Sequence, residues 1–339
     1  MPETADILEN NILRTSPELL STLLKDHTMS RGDAVCNIFW ATSDYEHLGK
    51  GYGYHDPILP ELITGDNGRV IMPRVLKHRD TQSARVRDMA EVFTPAWVCN
   101  AQNNLIDEAW FGIKDVFNTE YTSEDGTHGW KTNPDRITFP EGKTWKDYVR
   151  DTRLEITCGE APYIVSRYDT TTGAVIPLAD RIGLLDRKLR VVSENTETSG
   201  EWLEAAQEAF KSIYAYEWQG DSLLIARESM LASFVEYYRA KFGKDPLTKS
   251  INYIAYIISW NVWQMDGLKG VVPDSCHEKV ETSTDLFGET TRTVTVCEGC
   301  RTDNIFRHNG TYCLIKDWHA KDPQTGCKGK RVRFIDLLK

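Results

Sequence analysis

The sequence lacks the features that mark membrane-spanning and secreted proteins. No run approaches the roughly 20 apolar residues needed to cross a bilayer, and the acidic N-terminus lacks the basic and then apolar pattern of a secretory leader. Eight cysteines in 339 residues are too few for a disulfide scaffold, which favours a reducing compartment. We therefore expect a cytoplasmic protein with no membrane partner.

An excess of positive charge is also missing. The chain has 40 Lys and Arg residues against 50 Asp and Glu residues, for a net charge of −10. Because phosphate attraction is the sequence-independent part of nucleic-acid binding, this balance argues against indiscriminate binding. It leaves room for a DNA enzyme with a local basic face, or for one that takes its DNA-reading surface from a partner. The one basic run contains Lys316, His319, Lys321, Lys328, Lys330, Arg331 and Arg333. This run would either contact DNA phosphates or form a solvated tail.

Internal repeats and low-complexity tracts are absent as well. The chain is 40% hydrophobic, enough for one large domain with appendages. Residues 5–26 have apolar side chains at helical spacing, and glycines and prolines punctuate short apolar runs at 31–80. We therefore assign residues 1–90 to an N-terminal helical and β segment. A stretch rich in Thr, Asp, Gly and Pro at 118–152 predicts loops.

Residues 91–275 alternate between helical patterns and short apolar runs. Thr94 as cap and Pro95 at the first helical position predict the start of a helix. The runs RLEIT and SIYAYEW predict strands, and a long helix capped by Asp221 follows the second. Strands separated by helices of this length predict an α/β fold with a parallel, Rossmann-like sheet. The remaining residues, 276–339, predict a small Cys/His-rich appendage.

Two of these strands end in residues suited to a cofactor. LEITCGEAPYI, at 154–164, places a small-residue turn after a strand, where backbone N–H groups are open to close approach. Glu217, at the end of the next strand, would accept both hydroxyls of a ribose. It lies farther from Gly159 than the ~20 residues usual in dinucleotide folds, so an insertion around 167–200 must be assumed. The alternative is a strand, a turn and a surface glutamate without a ligand.

These segments resemble the adenine-specific DNA methyltransferases of restriction-modification systems whose motif order begins with the cofactor region. AEVFTP, at 90–95, is similar to their motif X, and LEITCGEAPYI is similar to the DPxCGxGxF-like motif I. Glu155 stands for the acidic residue of motif I, and Ala161 replaces its second glycine. IFWATSDYEHLGKGYGY, RVLKHRD and ISWNVWQMDGLKG extend the likeness over 35–275 to proteins labelled restriction endonuclease subunit M.

The resemblance implies a fold and a cofactor. The fold would be that of a Rossmann-like S-adenosylmethionine-dependent methyltransferase, with the cofactor-binding domain at 91–275. The residues expected around the cofactor are Phe93, Thr94, Pro95, Glu155, Cys158, Gly159, Glu217 and Asp266. The Phe-Thr-Pro segment would pack on the methionine portion, and the Cys-Gly turn would offer its backbone. Glu217 would bind the ribose, and Asp266, in the motif III-like QMDGL, would bind the adenine amino group.

The catalytic motif of that family, Asn/Asp-Pro-Pro-Tyr/Phe, is missing from the sequence. Asn133-Pro134-Asp135 lacks the second proline and the aromatic residue. A neighbouring subunit could supply the motif, or the site has decayed to an assembly or DNA-sensing module, or an unrecognised substitute is present. No D…ExK pattern of a nuclease is present either.

We favour the split enzyme, because the surviving region keeps the cofactor-like residues together. The prediction is the S-adenosylmethionine-binding subunit of a bacterial restriction-modification adenine-N6 DNA methyltransferase, with no catalytic residue identified in this chain. Its partners would be double-stranded DNA and a second methyltransferase or specificity subunit. The alternative is a non-catalytic DNA-binding or scaffold subunit that retains the methyltransferase fold.

The cysteines near the C-terminus predict a metal site. Cys297-x-x-Cys300 followed by His308 and Cys313 offers four soft ligands, and a Cys-x-x-Cys pair places two sulfurs on one turn at Zn–S distances of about 2.3 Å. The role would be structural, since four protein ligands leave no open position for catalysis. Free thiols are the alternative reading. The alternative ligands are Cys276, His277, His319 and Cys327.

Overall fold

The computed structural model describes most of the chain, namely residues 9–77, 85–86, 94–284, 290–323 and 325–338. Within these ranges the protein is a mixed α/β structure of helices and small sheets. None of its described helices is long and apolar enough to cross a membrane. The predicted α/β class is confirmed at this level.

Three short parallel strands form the central sheet, in the order β5 (Arg153–Glu155), β6 (Ile213–Glu217) and β7 (Val262–Gln264). Glu155 pairs with Ala215, which in turn pairs with Val262. Because all three strands run in the same direction, their carboxyl ends meet at one edge of the sheet. The predicted strands RLEIT and SIYAYEW are therefore both present and adjacent.

Helices make both crossovers of this sheet, as parallel pairing requires. The first crossover contains α6 (Leu184–Asn195) and α7 (Ser199–Lys211), and the second contains α8 (Gly220–Phe242) and α9 (Thr248–Asn261). The short helix α5 (Trp145–Arg150) precedes β5. A capping box starts α7, since Thr198 accepts from Glu201 N–H and the Glu201 side chain accepts in return. Asp221, expected to cap α8, lies within its first turn, and Gln219 holds the cap position.

The N-terminal segment packs against these helices. Its elements are α1 (Glu9–Thr15), α2 (Pro17–Leu24), β1 (Lys25–Arg31), β2 (Ala34–Asn37) and α3 (Pro60–Ile63). Four leucines of α2 are buried in the main core, as the helical spacing predicts. Short 3-10 helices punctuate residues 46–76, and β1 and β2 form an antiparallel pair.

The stretch at 118–152 is more regular than expected. After α4 (Ala96–Phe111), the strands β3 (Asn118–Thr122) and β4 (His128–Thr132) form an antiparallel hairpin that leads to α5. Pro95 is the N-cap of α4 rather than its first residue. The prediction of loops over 118–152 was therefore wrong for the hairpin and for α5, and it is confirmed for 133–144. Asp125 and Gly126 occupy the hairpin turn.

The C-terminal residues add two antiparallel hairpins and one short helix. These elements are β8 (Lys279–Thr284), β9 (Thr290–Thr295), α10 (Glu298–Thr302), β10 (Leu314–Lys321) and β11 (Lys328–Arg333). Ile315, Phe334 and Ile335 join Tyr216 and Trp263 of the central sheet in a second apolar cluster. The appendage thus covers one face of the sheet.

Candidate functional site

A cavity of about 780 Å³ opens at the carboxyl ends of β5 and β6. In parallel α/β sheets this edge is where ligands bind. The cavity is lined by five of the residues expected around a cofactor, namely Thr94, Glu155, Cys158, Gly159 and Glu217. The fold therefore brings together residues that lie far apart in the sequence.

Three other expected cofactor residues stand apart from these five. Phe93 lies outside the described residues, and Pro95 begins α4 without lining the cavity. Asp266 is also not among the lining residues. Its Oδ1 accepts hydrogen bonds from the backbone N–H groups of Leu268 (3.0 Å) and Lys269 (3.2 Å), and its Oδ2 lies 3.0 Å from Lys269 Nζ. Asp266 thus caps the turn after β7, and the structure does not bring it to the cavity.

The turn after β5 has an unusual backbone. Thr157, Gly159 and Ala161 have φ values of 47°, 53° and 60°, respectively. Glycine adopts this left-handed region at little cost, whereas alanine and above all a β-branched residue are strained there. Strain of this kind persists where the surroundings enforce it, and it clusters at ligand sites. The position where Ala161 replaces a glycine is therefore one at which glycine would be favoured.

Glu217 joins the turns that follow β5 and β6. Its Oε2 accepts from Gly159 N–H at 2.7 Å, and its Oε1 accepts from Trp218 N–H (2.9 Å) and Gln219 N–H (3.2 Å). Burial raises the pKa of this carboxyl, and the three backbone donors oppose that rise. The end of β6 is thereby fixed against the turn that forms the cavity wall.

Glu155 is the least satisfied group of the cavity. It is only 9% exposed, its Oε1 accepts a long bond from Tyr163 N–H (3.4 Å), and its Oε2 is buried without a hydrogen-bond partner. Burial raises the pKa of the carboxyl well above its ordinary value. Buried polar atoms are normally paired, so this orphaned oxygen in the cavity wall is an energetic cost that the fold carries at this place.

The sequence analysis missed the contribution of α4 to this cavity. Gln102, Asn103 and Ile106 line it, and Asn103 Nδ2 donates to the carbonyls of Tyr163 and Ile182 at 3.0 Å each. The sequence shows this face of α4 as polar residues at 100, 103 and 107, which is helical spacing. In the structure these three residues are buried, whereas Leu105 on the same helix is exposed. Polar spacing of this kind was given no weight because burial was assigned only to apolar residues.

The second candidate site lies in the appendage. One ligand atom from each of Cys276, Cys297, Cys300 and His308 lies within 4.8 Å of all the others, so this group could hold a metal ion. His308 Nδ1 is 3.5 Å from Cys276 Sγ and 3.6 Å from the Sγ atoms of Cys297 and Cys300. Tetrahedral bonds of about 2.3 Å to sulfur and about 2.05 Å to nitrogen place those atoms about 3.5 Å apart.

Two glycines give the four ligands room to converge. A Cβ at Gly299 would lie 2.6 Å from His308 Nδ1, and one at Gly310 would lie 3.1 Å from Cys276 Sγ. Asn309 N–H also donates to Cys297 Sγ at 3.3 Å. Although burial opposes ionisation, backbone donors from Cys300 and Asn309 and the His308 side chain lower the pKa of Cys297 to about 6. This environment favours a thiolate, the form of cysteine that binds metals.

The predicted ligand Cys313 is corrected to Cys276. The Cys313 thiol is buried in the second apolar cluster, where its Sγ lies 3.4 Å from the carbonyl oxygen of Gln264. It is therefore a small core residue beside the end of β7. The other proposed alternatives, His277, His319 and Cys327, are not members of the group.

Asn133-Pro134-Asp135 belongs to neither site. Asn133 Oδ1 accepts from Asp135 N–H at 3.0 Å, which makes a local turn after β4.

Comparison of the chain with protein-family models, curated proteins and solved structures yields no match. Functional inference therefore depends on the geometry of the two sites.

Proposed function

We propose that this chain is the S-adenosylmethionine-binding subunit of a bacterial restriction-modification DNA methyltransferase that acts on adenine N6. The observation that carries the proposal is the cavity lined by the buried Glu155 and the half-buried Glu217, with no Lys or Arg among its described lining residues. S-adenosylmethionine carries positive charge on its sulfonium and amino groups. A pyrophosphate cofactor is anionic and would be repelled by the same cavity.

Each lining residue has a role in this proposal. A carboxylate has about four lone-pair sites, and three of those of Glu217 accept backbone N–H groups. The remaining site, on Oε2, accepts one ribose hydroxyl. Glu155, in the cavity wall, is the carboxyl group nearest to hand for the cationic amino group of the methionine portion. The turn at Gly159 lets the cofactor approach the backbone, while Thr94, with Phe93 and Pro95 beside it, packs on the methionine portion. The methyl group itself is supplied by the cofactor.

The sheet supports a split enzyme. In doubly wound folds the ligand crevice lies where the strand order reverses, between two halves of the sheet. The order β5-β6-β7 matches one half, and no described strand pairs with the outer edge of β5. Leu154 and Ile156 at that edge are 43% and 62% exposed, although parallel sheets are normally covered. A partner that adds strands there would complete the crevice and bring the missing Asn-Pro-Pro-Tyr-type motif.

Cofactor binding is the first test. Titration calorimetry of S-adenosylmethionine into the folded chain is expected to give one saturable site. Glu217→Ala and Glu155→Gln should each weaken binding by about tenfold to a hundredfold, because each removes a charge-assisted contact. Glu204→Gln, on the exposed surface of α7, is the matched control and should bind as the wild type does.

Absence of heat from a wild-type chain that is folded by circular dichroism would refute the cofactor site. Stronger binding of NAD than of S-adenosylmethionine would do the same. The alternative function, a non-catalytic DNA-binding or scaffold subunit with a methyltransferase-like fold, would then describe the chain better.

Methyl transfer is expected only from the assembled pair. The isolated chain should not transfer label from radioactive S-adenosylmethionine to DNA, and a neighbouring subunit that carries the Pro-Pro motif should restore transfer. Ile156→Asp should lower that activity at least tenfold, since it places a charge on the open sheet edge. Val35→Asp, an equally exposed apolar position away from this edge, is the control. Failure of the wild-type pair to methylate DNA would contradict the split enzyme.

We also propose that the metal of the Cys276, Cys297, Cys300 and His308 group is zinc, held for structure. The separations of His308 Nδ1 from the three sulfurs match those of a tetrahedral site. Four protein ligands fill the coordination of the ion, so the site would have no catalytic position to offer. The group would fasten the segment after β7 to the start of the appendage.

A further inference from the structure

The C-terminal ribbon, formed by β10 and β11, concentrates positive charge on a chain whose net charge is −10. Residues 314–333 contain six Lys and Arg residues against two Asp residues. Lys321, Lys328 and Arg331 are exposed, and none of the three makes an ion pair within the described part of the chain. The ribbon is therefore a local basic surface on an acidic protein.

The register of the ribbon places one pair of like charges, Lys321 and Lys328, directly opposite each other. Elsewhere Lys330 faces Asp317, and Lys316, opposite Arg331, donates to Tyr256 OH at 2.7 Å. Like charges directly across two antiparallel strands destabilise the pairing. A polyanion bound along the ribbon would offset this repulsion, so a bound polyanion would explain why the two lysines lie opposite each other.

The base of the ribbon is fixed to the core. Trp318 Nε1 donates to Asn261 Oδ1 at 2.8 Å, and Tyr214 OH donates to the Lys316 carbonyl at 2.9 Å. Residues 322–323 and 325–327 belong to the turn beyond this packed base, where Asp322 N–H donates to the Cys327 carbonyl at 2.8 Å. A two-stranded β-ribbon is one of the elements that the DNA major groove admits. A rigid base with a basic outer part suits this kind of binding.

We propose that the ribbon binds duplex DNA, with its basic residues on the phosphates and its turn directed into the major groove. The choice of DNA as the polyanion rests on the proposed function. Cys313, before β10, contacts Gln264 at the carboxyl end of β7, whereas Trp318 contacts Asn261 just before that strand. The ribbon therefore extends away from the cofactor cavity, and it holds DNA at a place separate from the cofactor.

The test measures binding of a fluorescent duplex by anisotropy across a series of salt concentrations. The triple variant Lys321→Gln, Lys328→Gln, Arg331→Gln is expected to lose at least about tenfold in affinity at low salt. The slope of log K against log salt should fall by about 2.7, at about 0.9 for each lost phosphate contact. The variant with arginine at positions 321 and 328 keeps the charges and should bind as the wild type does.

A matched control neutralises three exposed lysines elsewhere, in the triple variant Lys114→Gln, Lys131→Gln, Lys244→Gln. It changes the net charge equally and should keep the wild-type slope. Equal weakening by both triple variants would overturn the proposal, and so would a wild-type chain without affinity for duplex at about 50 mM salt. Tighter binding to vesicles that contain phosphatidylserine than to the duplex would assign the ribbon to membranes and also overturn it.

The same proteins separate this inference from the proposed function. The ribbon variant should bind S-adenosylmethionine with wild-type affinity, because the ribbon lies away from the cavity. A chain that binds DNA through the ribbon but takes no S-adenosylmethionine would keep this inference and refute the cofactor role. If the chain binds S-adenosylmethionine and the ribbon variant binds DNA as the wild type does, the cofactor role is supported and the ribbon proposal is refuted.

Discussion

One zinc ion per chain is the expected result of metal analysis on the purified protein. Cys276→Ala should lose the ion, whereas Cys313→Ala should keep it, since only the first is a member of the four-residue group. Cys327→Ser, an exposed cysteine outside the group, is a second control. Zinc binding to structural sites of this kind is worth about 10–16 kcal/mol in small zinc-finger peptides, which far exceeds the effect of an ordinary substitution.

The consequence of metal removal should be local at first. A strong chelator is expected to increase amide hydrogen exchange over 270–312, because the metal group spans that segment while few apolar residues support it. Added zinc should restore protection, and the Cys313→Ala protein should respond as the wild type does. Retention of one zinc by Cys276→Ala, or full protection after chelation, would contradict the assigned ligands.

The metal group illustrates what spacing does and does not predict. Cys297, Cys300 and His308 belong both to the predicted group and to the group in the structure, because residues close in sequence can share one turn. The fourth member differs. Cys276 precedes these three in the sequence and Cys313 follows them, and the spacing of neither marks it as a ligand. Tertiary packing decides between Cys276 and Cys313. Cys313 is buried in the second apolar cluster, beside Gln264, and is therefore not part of the metal group.

The cavity shows the same division. Strand ends are predictable from apolar runs, so the sequence alone puts Glu155 and Glu217 at the ends of successive strands, which pair in parallel in the structure. Asp266 also follows a strand, but the residues after it form a turn whose N–H groups its side chain accepts. A short aspartate at such a turn bonds its own backbone as readily as it would bond a ligand. Sequence gives no means of choosing between these two partners.

The polar face of α4 is visible in the sequence as a spacing, but the sequence does not show that this face enters the core. Asn100, Asn103 and Asp107 are buried because Arg187 and backbone carbonyls satisfy them. Those partners lie some 60 to 90 residues away in the chain. The polar residues of a helix are assigned to solvent unless such partners are known, so the orientation of α4 follows from tertiary contacts alone.

Asp221→Asn is expected to destabilise the protein by about 3–5 kcal/mol, because it removes the buried negative charge that Lys77 and Arg85 share. Asp221 is fully buried in the first turn of α8, and its Oδ2 accepts from Lys77 Nζ (2.8 Å), Arg85 Nη1 (2.7 Å) and Tyr45 OH (2.8 Å). These bonds hold the N-terminal segment against the helix that follows Glu217. Urea unfolding measures the loss, and Tyr45→Phe, which removes one neutral donor, should cost only about 1 kcal/mol.

The pH dependence of this stabilisation has a definite sign. Although burial opposes it, the charges of Arg85 and Lys77 hold the pKa of Asp221 well below its ordinary value of 3.8. A carboxyl whose folded pKa is depressed stabilises the fold above its unfolded pKa, and that contribution is lost as pH falls through the folded pKa. The difference in unfolding free energy between wild type and Asp221→Asn should therefore be complete at neutral pH and begin to shrink only below about pH 4. A variant as stable as the wild type at pH 7, or a difference that grows in acid, would show that this network does not hold the segment in place.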